Sequence, residues 1–337
     1  MCGIVGYIGS QNAQDFVIDG LEKLEYRGYD SSGIAVLSDK GIELNKCKGE
    51  IKNLENMIAG RVPRGTCGIG HTRWATHGAP SDVNSHPHMD QSGRVALVHN
   101  GIVENYVELK EALIKEHGIK FKSETDSEVI AQLVGVKYNA NGGDLEKAVY
   151  DATKEMRGTY AIGVIAEDTP DKIVAYRKEA PLIAGIGKKS NFIASDIPAL
   201  LKYTNDIFLI ENDEMVVCTT DSITIKDKDG KEVKRESMKI TWSVEDAEKG
   251  GYEHFMLKEI NEQPKVVAET LNRRIDEDGK IKLDGINLTK EELDKYNKIY
   301  IVACGTAYHA GLVGKYVIEK MAGIAVEVDV ASEFRYR

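Results

Sequence analysis

The segments TYAIGVIAE, KIVAYR, NFIASD, DIFLIE, EMVVCTT and SITIKD follow one another between Thr159 and Asp227 as short strand patterns with turn residues between them. Such a run demands sheets: each segment is rich in β-branched and aromatic residues and too short for a helix of ordinary length. Earlier strand patterns lie at Gly3 to Ile8, at GTCGIGHTR, at RVALVHNGI, and at GIAVLSD with GIELNKCKG, which read as a hairpin. Helical patterns intervene. Ala13, Val17, Leu21 and Leu24 share one face, and Ile51, Leu54 and Ile58 share another. Further helices are expected from Asn105 to His117, ended by Gly118, from Ser127 to about Tyr138, and from Leu145 to Met156. Strands and helices without strict β–α alternation predict stacked sheets with helices outside, as one α+β domain over residues 1–240.

The pattern then changes. Residues 241–290 read as a linker and helical segment, with a polar-faced helix from Phe255 to about Ile275 interrupted at Pro264. In residues 291–337, KIYIVACGT is an apolar strand feeding a glycine turn, TAYHAGLVGKYVIEKMAG a helix, and IAVEVDVAS a second strand. That is a βαβ unit, the opening of a parallel-sheet α/β domain that the closing FRYR is too short to complete.

Composition narrows the classes of function. A net charge of −10 over 337 residues, without a basic block, argues against nucleic acid or an anionic membrane as partner. No signal-peptide pattern and no membrane-length apolar run are visible, so a cytoplasmic protein is expected. The five cysteines, Cys2, Cys47, Cys67, Cys218 and Cys304, are odd in number and lack CxxC spacing, which suits a reducing compartment.

Chemistry concentrates in a few places. Cys2 follows the initiator Met1, so removal of one residue leaves a thiol and a free α-amine on the same amino acid, a nucleophile with its own base. Equally, a lone cysteine at a strand start is a small hydrophobe. HTRWATHG supplies Arg73, Trp74, Thr76 and His77; a guanidinium there can grip a carboxylate with two parallel bonds, or stack on the indole at the surface. The two histidines of HTRWATHG, with His86 and His88 in SHPH, raise a zinc reading, but no metal-ligand spacing accompanies them. Asn100 and Gly101 end RVALVHNG, where a side-chain amide beside an unobstructed backbone N–H suits an oxyanion; Asn-Gly is also a hairpin-turn signal. Asp126 in SETDSE is either a helix cap or a carboxylate for an ammonium group.

Taken in order, MCGIVGYIG, LEYRGYDSSG, HTRWATHG, VNSHPH, VHNGIVEN and SETDSEV resemble the N-terminal-nucleophile, or class II, glutamine amidotransferases. The resemblance covers about half the chain and implies an Ntn-hydrolase fold, a four-layer αββα sandwich. It implies that Cys2, freed of Met1, attacks glutamine while Asn100 and Gly101 hold the oxyanion. Arg73 is then expected to bind the α-carboxylate and Asp126 the α-ammonium, with Thr76, His77 and Arg27 lining the site and Trp74 on a mobile loop that closes it. HFMLKEINEQP followed by IVACGTAYHAG is similar to the start of a sugar isomerase (SIS) domain, whereas no pyrophosphate loop or phosphoribosyl motif is visible.

An amidotransferase joined to an SIS domain implies amino-sugar synthesis. Glutamine and fructose 6-phosphate would become glutamate and glucosamine 6-phosphate in the complete enzyme, with ammonia passed internally, no metal or organic cofactor, and a homodimer as the assembly. Gly305 and Thr306 are the sugar-phosphate candidates; Ala307 stands where many relatives have Ser. The chain itself is expected to carry the glutaminase half-reaction and to lack most of the isomerase part. Rival readings are the glutaminase domain of another amidotransferase, and a non-enzymatic sugar-phosphate-sensing SIS protein.

Overall fold

The computed structural model describes residues 2–60, 65–75, 77–241, 250–276, 278–283, 285–286, 288–334 and 336. The chain divides into two compact units, residues 1–258 and 259–337. The expected domain end at residue 240 falls inside the first unit.

In the first unit the chain runs β1 (Gly3–Gly9), α1 (Ala13–Glu22), β2 (Ser31–Ser38), β3 (Gly41–Lys48), α2 (Ile51–Ile58), β4 (Cys67–Arg73), β5 (His88–Met89) and β6 (Val95–Val103). Three helices follow, α3 (Tyr106–His117), α4 (Asp126–Ala140) and α5 (Leu145–Glu155). The remaining strands are β7 (Gly158–Ala166), β8 (Ile173–Lys178), β9 (Ile183–Ile186), β10 (Ser190–Ala194), β11 (Asp206–Leu209), β12 (Glu214–Cys218), β13 (Ile223–Lys226) and β14 (Met238–Lys239). They form an eight-stranded sheet in the order β14-β11-β9-β10-β1-β4-β2-β3 and a six-stranded sheet in the order β13-β12-β8-β7-β6-β5. The registered pairs within these two sheets are antiparallel.

Strand alternation builds the layers. In β1, Ile4 and Ile8 enter a core shared with Ala96 and Val98 of β6, so the two sheets face each other there. Val5 and Tyr7, pointing the other way, pack with Val17 and Leu21 of α1 and Leu54 and Ile58 of α2. On the far side, Val95 and Leu97 of β6 meet Leu109, Leu113, Val129 and Leu145 of α3, α4 and α5. Helix, sheet, sheet, helix is the αββα sandwich. A one-residue slip in β1 or β6 would exchange its two cores, so the pattern fixes the register.

Two elements differ from expectation. α4 is capped by Thr125, whose side chain accepts from the Glu128 N–H, and Asp126 is its first helical residue. The helix Phe255–Asn272 runs unbroken through Pro264, which removes one internal hydrogen bond without ending the helix.

In the second unit, β15 (Lys298–Ala303) and β16 (Ala325–Val330) pair in parallel, joined by the helix Gly305–Ala322. Burial is sparse here: Val326 is enclosed, while Val313, Tyr316 and Met321 are exposed. The βαβ reading of the sequence is matched element for element.

Candidate functional site

β1 brings Cys2 to the mouth of the sandwich, beside the end of β4. Its pairing with β4 sets Gly3 opposite Thr72, so Cys2 lies next to Arg73 and Trp74. The Cys2 Sγ accepts from the Trp74 N–H at 3.3 Å and donates to the Trp74 carbonyl at 3.5 Å. Burial pushes the thiol above its ordinary range; the Trp74 backbone contact and the charges of Arg73 and Arg27 pull it back in part. A thiol so placed is protonated at rest and needs a base to become a nucleophile.

The Cys2 carbonyl is held twice. Arg27 Nε donates to it at 3.1 Å and Asn100 Nδ2 donates to it at 3.1 Å. Arg27 is in turn held by Asp196, with Nη1 2.6 Å from Oδ2. Arg27 therefore seats the Cys2 backbone and is not among the residues that line the cavity. Its turn lies tight against the strand end, because a Cβ at Gly28 would stand 2.6 Å from the Trp74 nitrogen.

Asn100 and Gly101 are not a hairpin turn. β6 runs through them, with Asn100 opposite Ala161 and Gly101 opposite Tyr160. Gly101 has φ +121°, and a Cβ there would lie 2.0 Å from the Thr159 carbonyl oxygen, so only glycine fits. Asn100 is gripped from behind: its Oδ1 accepts from His71 Nε2 at 2.9 Å.

Cys2, Arg73, Trp74, His77, Gly101 and Asp126 line one cavity. Its volume is about 20 Å³, space for roughly one water molecule. Arg73 occupies the head of this space, with Nη2 donating to the carbonyls of His77 and Gly78. Its buried Nη1 has no partner among the described residues. A buried guanidinium nitrogen without an acceptor invites an anion. Asp126, also buried, accepts from the Val103 N–H with Oδ2 and from Ser127 Oγ with Oδ1, which ties the start of α4 to β6. Trp74 is exposed and meets the Tyr29 ring edge-on, and His77 Nε2 pairs with the Tyr106 hydroxyl at 2.9 Å. Thr76 and Met1 lie outside the described residues.

Behind Asn100 lies a stack of buried imidazoles. His71 and His86 are parallel with centroids 4.1 Å apart, and His88 meets His86 edge-on at 4.9 Å. Burial drives His71 down to about 3, His86 and His88 well below the ordinary histidine range, and His99 in the same direction. The stack is thus neutral at physiological pH. Among the described residues no group of three or more His, Cys, Asp or Glu is arranged to hold a metal ion.

A roomier cavity of about 730 Å³ opens beyond His88, between Leu44, Met89 and Glu128. Its wall lysine, Lys46, is engaged by the carbonyls of Val83, Ser85 and Pro87, and its lining holds no cysteine.

Sequence reasoning did not single out Asp196, Asp30 or Tyr106. Asp30 Oδ2 accepts from the Ala75 N–H at 2.7 Å and anchors the segment after Trp74; its place in YRGYDSSG was the available signal. Asp196 lies 169 residues from Arg27 and no local pattern marks it. Gly305 and Thr306, the sugar candidates, stand exposed in the second unit where β15 turns into its helix, Gly305 at φ +60°.

The pattern of the glutamine amidotransferase domain family matches residues 71–202, and that of the SIS domain matches 292–337. The glutamine–fructose-6-phosphate aminotransferase (isomerizing) of Clostridium tetani is 57% identical over 337 residues, covering 100% of this chain and 55% of that protein. Its namesake in Clostridium perfringens is 58% identical with the same coverage. The chain is the counterpart of their N-terminal portion, a class II glutamine amidotransferase domain with the beginning of an SIS domain. It spans about half the length of these curated relatives.

The amidotransferase fold recurs in solved structures. Glutamine phosphoribosylpyrophosphate amidotransferase from B. subtilis, complexed with ADP and GMP, superposes with a TM-score of 0.60 at 19% identity, covering 97% of this chain and 65% of that one. A structure described as the allosteric regulatory enzyme of purine biosynthesis gives 0.59 at 24% identity, covering 67% of this chain and 49% of that one. No helix among the described residues is long and apolar enough to cross a membrane.

Proposed function

We propose that this chain hydrolyses glutamine at Cys2 once Met1 has been removed. One observation carries the reading: Cys2, Arg73 and Asp126, far apart in sequence, line the same cavity, and within it Arg73 keeps a buried nitrogen free for an anion. A thiol, a cation and a carboxylate in one small cleft match an amino-acid head group followed by an amide.

The course is as follows. The Cys2 α-amine, whose ordinary pKa is near ~8, takes the thiol proton as Sγ adds to the side-chain carbonyl carbon of glutamine. The carbonyl electron pair moves onto oxygen, and this oxyanion is met by the second Nδ2 hydrogen of Asn100 and the Gly101 N–H. The protonated amine returns its proton to the departing nitrogen, the C–N bond breaks and ammonia leaves a γ-glutamyl thioester. Water, deprotonated by the same amine, then releases glutamate.

Glutamine does not fit the cavity as it stands, so its entry requires Arg73 to exchange the His77 and Gly78 carbonyls for the substrate carboxylate. Trp74 and His77, on the same segment, move with it. For the ammonia, the acceptor we assign is fructose 6-phosphate, by likeness to the Clostridium enzymes whose names state it. Gly305 and Thr306 are the sugar-phosphate candidates of this reading, and the homodimer is its expected assembly.

The test combines intact mass with a glutaminase assay. A protein lacking Met1 should release glutamate, lose that activity in Cys2→Ala, and take up a single equivalent of an electrophilic glutamine analogue at Cys2. Full activity with Met1 still attached would overturn the reading.

A further inference from the structure

The oxyanion donor assigned above works in one orientation only. Rotating the Asn100 amide by half a turn would present Oδ1, a second negative atom, to the developing oxyanion. The Cys2 carbonyl favours the productive orientation from the front, since it accepts from Nδ2. Behind the amide, His71 Nε2 stands 2.9 Å from Asn100 Oδ1 and 2.9 Å from the His99 carbonyl. Both of those atoms only accept, so Nε2 carries the hydrogen and Nδ1 is the bare nitrogen. His71 is fully buried, its Nδ1 has no partner among the described residues, and its ring lies flat on His86. Nothing else about Nε2 is used for a fold contact beyond the His99 carbonyl, which already belongs to β6.

We infer that His71 is a positioning residue for the amidotransferase reaction, whose Nε2–H fixes the Asn100 amide with its N–H₂ toward the reacting carbonyl. The inference rests on the amidotransferase reading and adds to it a residue that never touches substrate. The stacked, buried setting keeps the imidazole neutral, so a single ring nitrogen carries the hydrogen: burial lowers its proton affinity and His99, His86 and Arg73 crowd it with potential like charge. The role does not depend on a titration near neutrality; it depends on which ring nitrogen bears the hydrogen.

Two variants separate this role from simple packing. Glutamine places its Nε2–H₂ where histidine has Nε2, three bonds from Cβ, whereas asparagine reaches only the Nδ1 position. His71→Gln and His71→Asn both bury an uncharged amide at the same site. His71→Gln should keep kcat within about threefold of the parent, and His71→Asn should lose on the order of tenfold to a hundredfold, with KM for glutamine alike in both. In ¹⁵N-resolved spectra of the full chain, the Asn100 side-chain amide pair should hold its position in His71→Gln and shift in His71→Asn.

Equal kcat in the two variants, a loss confined to KM, or unchanged Asn100 signals in both would overturn the inference. A parent protein that releases no glutamate would instead sink the amidotransferase reading, and the Asn100 signals would still decide what His71 does.

Discussion

The two ends of the Cys2 cavity are built in opposite ways. At the Cys2 end the groups are tied in a chain: the Cys2 carbonyl by Arg27 and Asn100, Arg27 by Asp196, Asn100 by His71. At the Arg73 end the guanidinium holds two backbone carbonyls of its own segment and leaves Nη1 without a partner among the described residues, while Trp74 and His77 are exposed. The difference teaches that one end is built rigid and the other exchangeable. Under the proposed function, the groups that would meet the transition state are fixed in advance, and those that would admit the substrate are held by bonds it can replace.

The strongest test strikes the fixed end. Asn100→Ala should lower kcat by ~100- to 1000-fold with little change in KM, because the donor acts on charge that exists only in the transition state. Steady-state glutaminase kinetics read it; a fall in KM affinity with intact kcat would reverse the assignment of the two ends. At the exchangeable end, Arg73→Lys should raise KM by about 10- to 100-fold and spare kcat, since an ammonium cannot reproduce paired contacts to a carboxylate. A glutamine derivative lacking the α-carboxylate should be handled equally by parent and variant, and a difference between them would remove Arg73 from the head-group site.

A third test probes the support beneath the fixed end. The buried histidines have folded-state pKa values below the ordinary value near ~6.5, so between those limits the unfolded chain binds more protons. Stability is therefore full above about pH 6.5 and is lost as pH falls below it, by up to ~1.4 kcal/mol per pH unit for each such residue. Urea titrations at pH 7, 6 and 5 measure the slope; a flat response would mean the imidazoles are charged or accessible. The smallest effect belongs to the open end: Trp74→Ala, which loses an edge contact to Tyr29 at the surface, should cost at most about 1 kcal/mol in thermal unfolding.

Where the sequence carried a period, the fold was readable. The β2–β3 hairpin, the α1 and α2 faces and the six late strands all appear where alternation or helical spacing placed them. Short strands escaped: β9 has four residues between Pro181 and Gly187, and β5 has two after Pro87, too few to show alternation. At the site, Cys2, Arg73, Asn100, Gly101 and Asp126 could be named as candidates because each sits in a motif of the family resemblance, and the fold brings Cys2, Arg73, Gly101 and Asp126 to one cavity. The supports were not legible, because they are made by distant partners. Asp196 acquires its role only when β10 is laid beside β1, and His71 becomes a fixed donor only when β4 sets its Nε2 between the His99 carbonyl and Asn100 Oδ1. Asp126 shows the converse, since Thr125 takes the capping position that the sequence offered to Asp126, whose carboxylate accepts from the Val103 N–H instead.

The grip of Arg27 and Asn100 on the first strand passes through a peptide oxygen, an atom that every amino acid shares. The seat is consequently indifferent to what projects from it. A hydroxyl in place of the sulfur, as in Cys2→Ser, should be delivered to the same spot in the same attitude, so that the scaffold separates where the attacking group stands from what that group is.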